Sequence, residues 1–202
     1  TTAVAESDAT PKYVNEFLTI GVGARALGMS LSQVASVNDV TAGYWNPAGL
    51  LGMKDAIQVA AMHSEYFAGI AKYDYARISR QLDSSSTASF TVIRFGVDDI
   101  PNTTELIDAG GNIDYSRITT FSAADYAFVF SYGKRAARIQ EWIQNKWGTT
   151  TGSAQQEGLS WGVNAKLIYR HIGSFAKAWG FGIDGGMQYK RGPWCAGLMA
   201  RD

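Results

Sequence analysis

The chain has 202 residues, which suits one domain, and its 18 basic and 18 acidic residues give a formal net charge of zero. Because the charges balance, no strong field would attract nucleic acid. The single cysteine, Cys195, excludes an internal disulfide and a cysteine-based metal site, and we expect it to be a small strand residue. The chain contains no run of about 18 apolar residues, so no transmembrane helix is predicted.

Residues 1–55 form the first predicted unit. Residues 1–10 are polar, and residues 13–18 and 24–37 favour short helical turns. The segment GVGARALG, at residues 21–28, lacks the spacing of a dinucleotide-binding loop and follows no clear strand. Nucleotide binding is therefore not predicted.

The stretch DVTAGYWNPAGL, at residues 39–50, is the most distinctive part of this unit. Asn46-Pro47 predicts a turn, because proline fixes φ and pushes the preceding residue into extended geometry. Tyr44 and Trp45 are large rings without helical or strand context, so they must pack against another part of the protein. From residue types alone, a loop that caps the core of a soluble β protein would fit as well.

Two pairs of charged residues leave alternatives open. Arg25 and Asp39 either form an ion pair that holds residues 1–55 together or remain separate solvated charges. The adjacent Asp98 and Asp99 either bind a hard cation such as calcium or, as is more common, are solvated loop acids.

Seven segments have the two-residue periodicity of strands. A long connection rich in turn-forming residues is predicted at residues 97–119, and Arg94 is a candidate for the inward face. Residues 134–147 instead have helical spacing and predict a short amphipathic helix, which lies either at a membrane interface or against the protein itself. The strand segments are residues 56–63, 69–81, 87–96, 122–133, 159–170, 179–190 and 194–201.

The composition of the last three segments favours a membrane barrel over a soluble sandwich. Trp179 and Tyr189 bound an apolar face, and the strand between them, tilted by about 40°, spans roughly 25 Å, like the apolar band between aromatic girdles. The alternation alone does not exclude a large soluble barrel. The inward residues are Asn164, Lys166, Asp184, Gln188 and Lys190, and the predicted lipid-facing girdle is Trp161, Tyr169, Trp179, Tyr189 and Trp194.

No enzyme signature is present. The chain contains neither GxSxG nor HExxH, and its two histidines, His63 and His171, are far apart in sequence. We expect these histidines to line a lumen or to lie at strand ends. No catalytic, cofactor-binding or metal-binding residues are predicted.

Longer motifs carry a family resemblance. They are GARALGM, NDV, YWNPAGL, IRFGVDDIPNTTELID, GNIDYSRITTFSAADYAF and GLSWGVNAKLIYRHIGSFAKAWGFGIDGGMQY. Together, from about residue 22 to the last residue, they resemble the PorV/PorQ family of outer-membrane proteins, relatives of the FadL-type fatty-acid channels. The chain departs from the family at Ser30-Leu31, where a second glycine pair is expected.

The resemblance implies an all-β fold: a FadL-like transmembrane antiparallel barrel of about fourteen strands, of which this chain supplies about seven. Residues 1–55 would hold an N-terminal hatch inside the lumen, and residues 56–202 would be the N-terminal part of the barrel, ending before it closes. The hatch residues would be Arg25, Asp39, Tyr44, Trp45, Asn46 and Pro47.

The function implied by the resemblance is that of a non-enzymatic component of the type IX protein secretion system in the Bacteroidetes outer membrane. Its partners would be the large translocon barrel, exported proteins with C-terminal signal domains, and membrane lipid or lipopolysaccharide. The tight turn at residues 191–193 suits the periplasmic side, which places residues 97–119 outside the cell. The expected partner-docking residues are Asp98, Asp99, Ile100, Pro101 and Leu106.

Two other functions are compatible with the sequence. A FadL-like transporter of hydrophobic small molecules would need a continuous apolar pocket and a movable hatch, and the charged inward face fits this less well. A soluble β scaffold would not need detergent for its extraction.

Overall fold

The computed structural model describes residues 15–107, 110–136 and 158–202, and within these ranges seven strands form one antiparallel sheet. The spatial order of the strands follows the chain, and the sheet curls like half of a barrel. The predicted antiparallel, mainly β architecture is confirmed. The strands are β1 (Ile57–Tyr66), β2 (Ala71–Asp83), β3 (Ser86–Asn102), β4 (Thr119–Arg135), β5 (Gly158–Ile172), β6 (Ala176–Arg191) and β7 (Trp194–Ala200).

Strand β3 is longer than the sequence pattern predicts. It continues through the turn-forming residues Asp98 and Asp99, because a bulge between Val97 and Ile100 takes them up without ending the pairing with β4. Asp99 has a φ of 57°, which an aspartate tolerates better than most residues. The connection predicted at residues 97–119 therefore spans only 103–118.

The two faces of the sheet differ as the alternation predicts. In β6, Asp184 and Gln188 are buried on the inward face, whereas Phe181 and Ile183 are exposed on the outward face. Arg94 was expected to point inward, and this is wrong. The Arg94 side chain lies on the outward face and forms an ion pair with Asp98 at 2.6 Å, because the β3 alternation gives the inward position to the neighbouring Ile93.

Four short helical elements precede the sheet. The first two lie within or beside the predicted segments 13–18 and 24–37, the second of these segments is helical only over its first five residues, and the last two elements were not predicted. A 3-10 turn at Glu16–Thr19 is followed by helix α1 (Ala24–Gly28), helix α2 (Ala42–Trp45) and a second 3-10 turn at Pro47–Gly52. The second 3-10 turn begins where the Asn46-Pro47 dipeptide predicts a change in chain direction. The Asn46 side chain caps this turn and proline occupies its first position, where a missing N–H costs nothing.

The hydrophobic core lies between residues 15–55 and the inward face of the sheet. Val22 and Leu50 from the N-terminal part and Tyr73 and Ile93 from the strands are fully buried in one cluster. One sheet face is therefore covered by irregular chain instead of a second sheet. No helix of the described ranges is long and apolar enough to cross a membrane. The helix predicted at residues 134–147 lies mostly outside the described residues.

Candidate functional site

A row of glycines on the inward face receives the Asn46-Pro47 turn. Gly133, Gly162 and Gly186 are direct cross-strand partners on β4, β5 and β6. A Cβ added to Gly162 would lie 2.5 Å from the Pro47 carbonyl carbon, and one added to Gly133 would lie 2.6 Å from the Pro47 carbonyl oxygen. We call these three residues the glycine row. Their missing side chains allow the turn to touch the strand backbones.

Asn46 fastens this turn to the sheet. Its fully buried amide donates hydrogen bonds of 2.9 Å to the backbone oxygens of Val34 and Met187, and its side-chain oxygen accepts one of 3.1 Å from the Ala48 N–H. A single side chain therefore joins two parts of the N-terminal segment to strand β6.

Other polar side chains of the sheet also donate to carbonyl groups of the N-terminal segment. Gln188 bonds to Ala35 and Val37 at 2.7 and 3.0 Å, and Asn164 bonds to Gly43 at 2.9 Å. Irregular chain has carbonyl groups that no helix or strand satisfies, and these buried donors satisfy them. The inward positions predicted for Asn164, Lys166, Asp184 and Gln188 are confirmed, since all four are buried.

Tyr44 and Trp45 connect helix α2 to the first part of the N-terminal segment. The Tyr44 hydroxyl donates to the Leu18 carbonyl and accepts from the Gly21 N–H at 3.1 Å, while the Trp45 indole donates to the Val22 carbonyl at 3.0 Å. Burial raises the pKa of Tyr44, so the hydroxyl stays protonated and remains a donor.

Arg25 and Asp39 are placed apart. The Asp39 carboxylate accepts hydrogen bonds from the Thr41 N–H at 2.8 Å and the Thr41 hydroxyl at 2.6 Å. Arg25 is exposed, and no ion pair within the described ranges joins it to Asp39. Of the two alternatives for this pair, the structure shows the separate charges.

Two further rows of inward residues cross the sheet beside the glycine row. In the nearer row, each polar residue is the direct cross-strand partner of the next, from β2 to β6. Asn164 also donates a hydrogen bond to Asp184 at 3.0 Å. Lys166, in the farther row, forms a buried ion pair with Asp184 at 2.6 Å. The nearer row is Ser79, Ser89, Ser131, Asn164 and Asp184, and the farther row is Arg77, Thr91, Val129 and Lys166.

A cavity of about 270 Å³ lies between the N-terminal segment and these two rows. Leu18 and Tyr44 line it from the segment, and Arg77, Thr91 and Asn164 line it from the strands. The size is near the lower limit for a small-molecule site. The mixture of apolar and polar lining differs from a continuous greasy tunnel.

Aromatic residues lie toward both ends of the outward face. Toward the end with the β5–β6 turn, the rings of Tyr169 and Trp179 are 4.4 Å apart, and Tyr126 stacks on Tyr169 at 6.3 Å. Toward the opposite end lie the predicted girdle residues Trp161, Tyr189 and Trp194, with Tyr132 beside Trp161 at 6.1 Å. The apolar residues exposed between the two groups include Phe130, Val163, Phe181 and Ile183.

The predicted docking residues lie at the end of the sheet that carries the β1–β2, β3–β4 and β5–β6 connections. Ile100 and Leu106 are half-buried, Asp99 and Pro101 are exposed, and Asp98 is bound by Arg94 and by Lys72 at 3.4 Å. Asp98 therefore acts as an ion-pair partner instead of a free loop acid. The three connections at this end also carry exposed apolar side chains: Phe67, Ile70, Ile107, Ile113, Tyr115 and Phe175.

The remaining sequence candidates are a histidine and the single cysteine. The prediction that His63 lines a lumen or lies at a strand end is wrong, because the alternation of β1 places it on the outward face, 2.7 Å from the Asp74 carboxylate. Cys195 is an exposed strand residue, as predicted. Within residues 15–107, 110–136 and 158–202, no three His, Cys, Asp or Glu side chains are grouped as metal ligands.

In comparisons with protein-family models, curated proteins and solved structures, nothing matches this chain.

The glycine row and the two polar rows were not predicted from the sequence. The alternation marks these residues as inward, but it does not tell which residue of one strand lies beside which residue of the next.

Proposed function

We propose that the protein is an outer-membrane β-barrel of the PorV kind that serves the type IX protein secretion system. The observation that carries this proposal is the fastening of the Asn46-Pro47 turn to the glycine row, which supports a lumen filled by a fixed hatch. A barrel filled in this way has no open path for solutes. Its function then lies in the surfaces that it presents.

The outward face supports the membrane location. Apolar side chains exposed between two groups of aromatic residues suit a lipid environment. By its resemblance to FadL-like proteins, the complete barrel would have about fourteen strands, with β1–β7 as its first half. The aromatic outer wall would contact lipid, lipopolysaccharide and the translocon barrel.

Protein docking is proposed at the end of the sheet that carries Ile100 and Leu106. Half-buried apolar side chains among exposed polar ones are typical of interaction anchors. The exposed Ile107 and Tyr115 enlarge this apolar surface. The hydrogen bond from the Ser116 hydroxyl to Asp114 lowers the pKa of Asp114, so its carboxylate stays charged and keeps capping the 3-10 turn Tyr115–Arg117. Exported proteins with C-terminal signal domains would bind here.

The test is a pull-down from detergent-solubilised native membranes with a tagged protein. We expect it to recover a very large outer-membrane barrel and exported proteins with C-terminal signal domains. Ile100→Glu and Leu106→Glu should reduce recovery of the exported proteins about tenfold, as loss of an interface anchor does. Thr104→Glu adds the same charge at an exposed position between Ile100 and Leu106 and serves as the control. Equal recovery with all three variants would refute docking at this surface.

The cavity beside Leu18 and Tyr44 favours a second candidate, a transporter of hydrophobic small molecules. In that case the purified protein would contain a bound apolar ligand and would be recovered without the translocon. The buried Lys166–Asp184 pair argues against an apolar passage through this cavity.

A further inference from the structure

Arg77 is a buried cation without a carboxylate partner among the described residues. Its side chain is 4% exposed and hydrogen-bonds only to the hydroxyl groups of Ser79, Ser89 and Ser131, the last at 2.9 Å. No carboxylate oxygen of the described ranges lies within 4.0 Å of the Arg77 guanidinium nitrogens, the limit for an ion pair. Asp39 interacts electrostatically with Arg77, but from beyond that distance. A buried charge that lacks a counter-ion is costly.

Three polar atoms of residues that line the cavity have no hydrogen-bond partner among the described residues. They are the Nη1 donor of Arg77, the hydroxyl of Thr91 and the side-chain oxygen of Asn164. The neighbouring Tyr75 hydroxyl interacts with the guanidinium but does not meet the geometry of a hydrogen bond and is also without a partner. Unsatisfied buried groups of this kind are rare in proteins and ask for an explanation.

The residues that carry these atoms lie close together. Thr91 is the direct cross-strand partner of Arg77, and Arg77 and Asn164 both reach Gly43 of helix α2. A Cβ on Gly43 would lie 1.5 Å from Nη2 of Arg77, and the Asn164 amide donates to the Gly43 carbonyl at 2.9 Å. The Asn164 amide group also donates to Asp184, which fixes its orientation and leaves its oxygen free to accept.

The neighbouring charges do not neutralise Arg77. Lys166 and Asp184 form their own pair at 2.6 Å. Glu16 and Asp202 also line the cavity, but neither forms an ion pair with Arg77. Water could accept a hydrogen bond from Nη1 but would not balance the charge. The cavity of about 270 Å³ is large enough for a small organic molecule that would do both.

We propose that this cavity binds a small organic carboxylate whose neighbouring carbon carries a hydroxyl group. The carboxylate accepts from Nη1 of Arg77 and supplies the missing charge. The hydroxyl group donates to the Asn164 oxygen, and the Thr91 hydroxyl bonds to either group. The apolar remainder of the ligand lies against Leu18 and Val129, and the bound ligand stabilises the contact between helix α2 and the strands.

The probe is lactate, titrated calorimetrically into the purified protein in detergent micelles. Propanoate lacks the hydroxyl group, and lactamide lacks the charge. We expect saturable binding of lactate, weaker binding of propanoate and no binding of lactamide. The proposal is overturned if lactate gives no saturable signal with the folded protein, or if lactamide binds equally well.

Two variants and a control locate the site. Arg77→Gln should weaken lactate binding by about tenfold or more, because a charge-assisted hydrogen bond is lost. Arg94→Gln removes an arginine from the outward face and should change the affinity less than about twofold. Thr91→Val keeps the side-chain shape, so it preserves folding, and it should weaken lactate binding several-fold. Equal losses with Arg77→Gln and Arg94→Gln, or none with Thr91→Val, would place the ligand elsewhere.

Ligand binding in the cavity does not depend on the proposed role in secretion. A protein that fails the pull-down would still bind lactate if the cavity is an anion site. A protein that passes the pull-down without binding lactate would overturn the cavity proposal alone.

Discussion

Asn46 shows how much a single buried amide can determine. Its donor group faces two carbonyl oxygens that belong to different parts of the chain, and its acceptor faces an N–H. Only a side chain with a donor and an acceptor on one planar group satisfies all three. An aspartate has the same shape but no donor.

Asn46→Asp should therefore destabilise the protein by about 3 kcal/mol or more, because a carboxylate would face the carbonyl oxygens of Val34 and Met187 in a buried site. Thermal unfolding in detergent measures the loss. Asn102→Asp is the matched control: the Asn102 oxygen only accepts hydrogen bonds from Thr104, as an aspartate would. Equal melting temperatures for the two variants would contradict the role given to Asn46.

Ser30 and Leu31 present the opposite case, in which the residue type fits the backbone poorly. Both have positive φ, 52° and 65°, in the left-handed region that glycine prefers. These are the two positions at which the family resemblance leads us to expect glycine. The departure is therefore one of residue type, with the left-handed backbone kept.

Ser30→Gly should raise the stability by about 0.5–1 kcal/mol, since the side chain opposes the left-handed conformation. The melting temperature should rise by roughly 2 °C. Ser32→Gly, two residues further on, serves as the control. Ser32 is not in the left-handed region, so its replacement should lower the melting temperature. A decrease for Ser30→Gly would show that the serine side chain contributes more than the strain costs.

At the scale of elements, the sheet and the N-terminal segment each supply groups that the other lacks. The segment has carbonyl groups without donors, and the inward face supplies amide side chains. The inward face has three aligned glycines without side chains, and the segment supplies the Asn46-Pro47 turn. Each element therefore completes the packing and hydrogen bonding of the other.

Gly162→Ala tests this contact. The new methyl group would meet the backbone of Pro47 and Ala48 at 2.5–2.6 Å, which should cost about 1–3 kcal/mol and loosen the turn. Limited proteolysis should then cut within residues 39–50, where the parent protein resists.

Gly185→Ala is the control for the glycine row. Gly185 is next to Gly186 in β6, but a Cβ there would have no neighbour within 4 Å. This variant should keep the protease resistance of the parent. If Gly162→Ala kept it too, the turn would not depend on the missing side chain.

For the whole molecule, the central question is what covers the outward face. Ile183 is 74% exposed near the middle of this face, between Trp179 and Tyr189, whereas Phe175 is 56% exposed in the turn between β5 and β6. In a lipid bilayer the first would lie in hydrocarbon and the second at or beyond the interface.

Ile183→Arg should therefore lower the free energy of unfolding in vesicles by about 2–4 kcal/mol, the cost of a charge near the middle of a bilayer. Phe175→Arg should cost less than about 1 kcal/mol. Urea-dependent folding into vesicles compares the two variants. Small and equal losses would mean that water, not lipid, covers the outward face.

The sequence alone determined the seven strands, the two faces of the sheet and the Asn46-Pro47 turn. These are local properties, because a two-residue period or an Asn-Pro step can be recognised in a short stretch of chain. The extent of β3 was predicted too short, since a bulge is stabilised by the pairing with β4 and not by the residues Asp98 and Asp99 themselves.

The tertiary structure decided which residues meet. A two-residue shift leaves every side chain of a strand on its predicted face. Such a shift of β5 would nevertheless separate Gly162 from Gly133 and Gly186, and one of β3 would separate Thr91 from Arg77. The glycine row and the polar rows depend on that register, and so does the cavity above them. The sequence identifies the inward residues, but only pairing between distant strands brings them into one site.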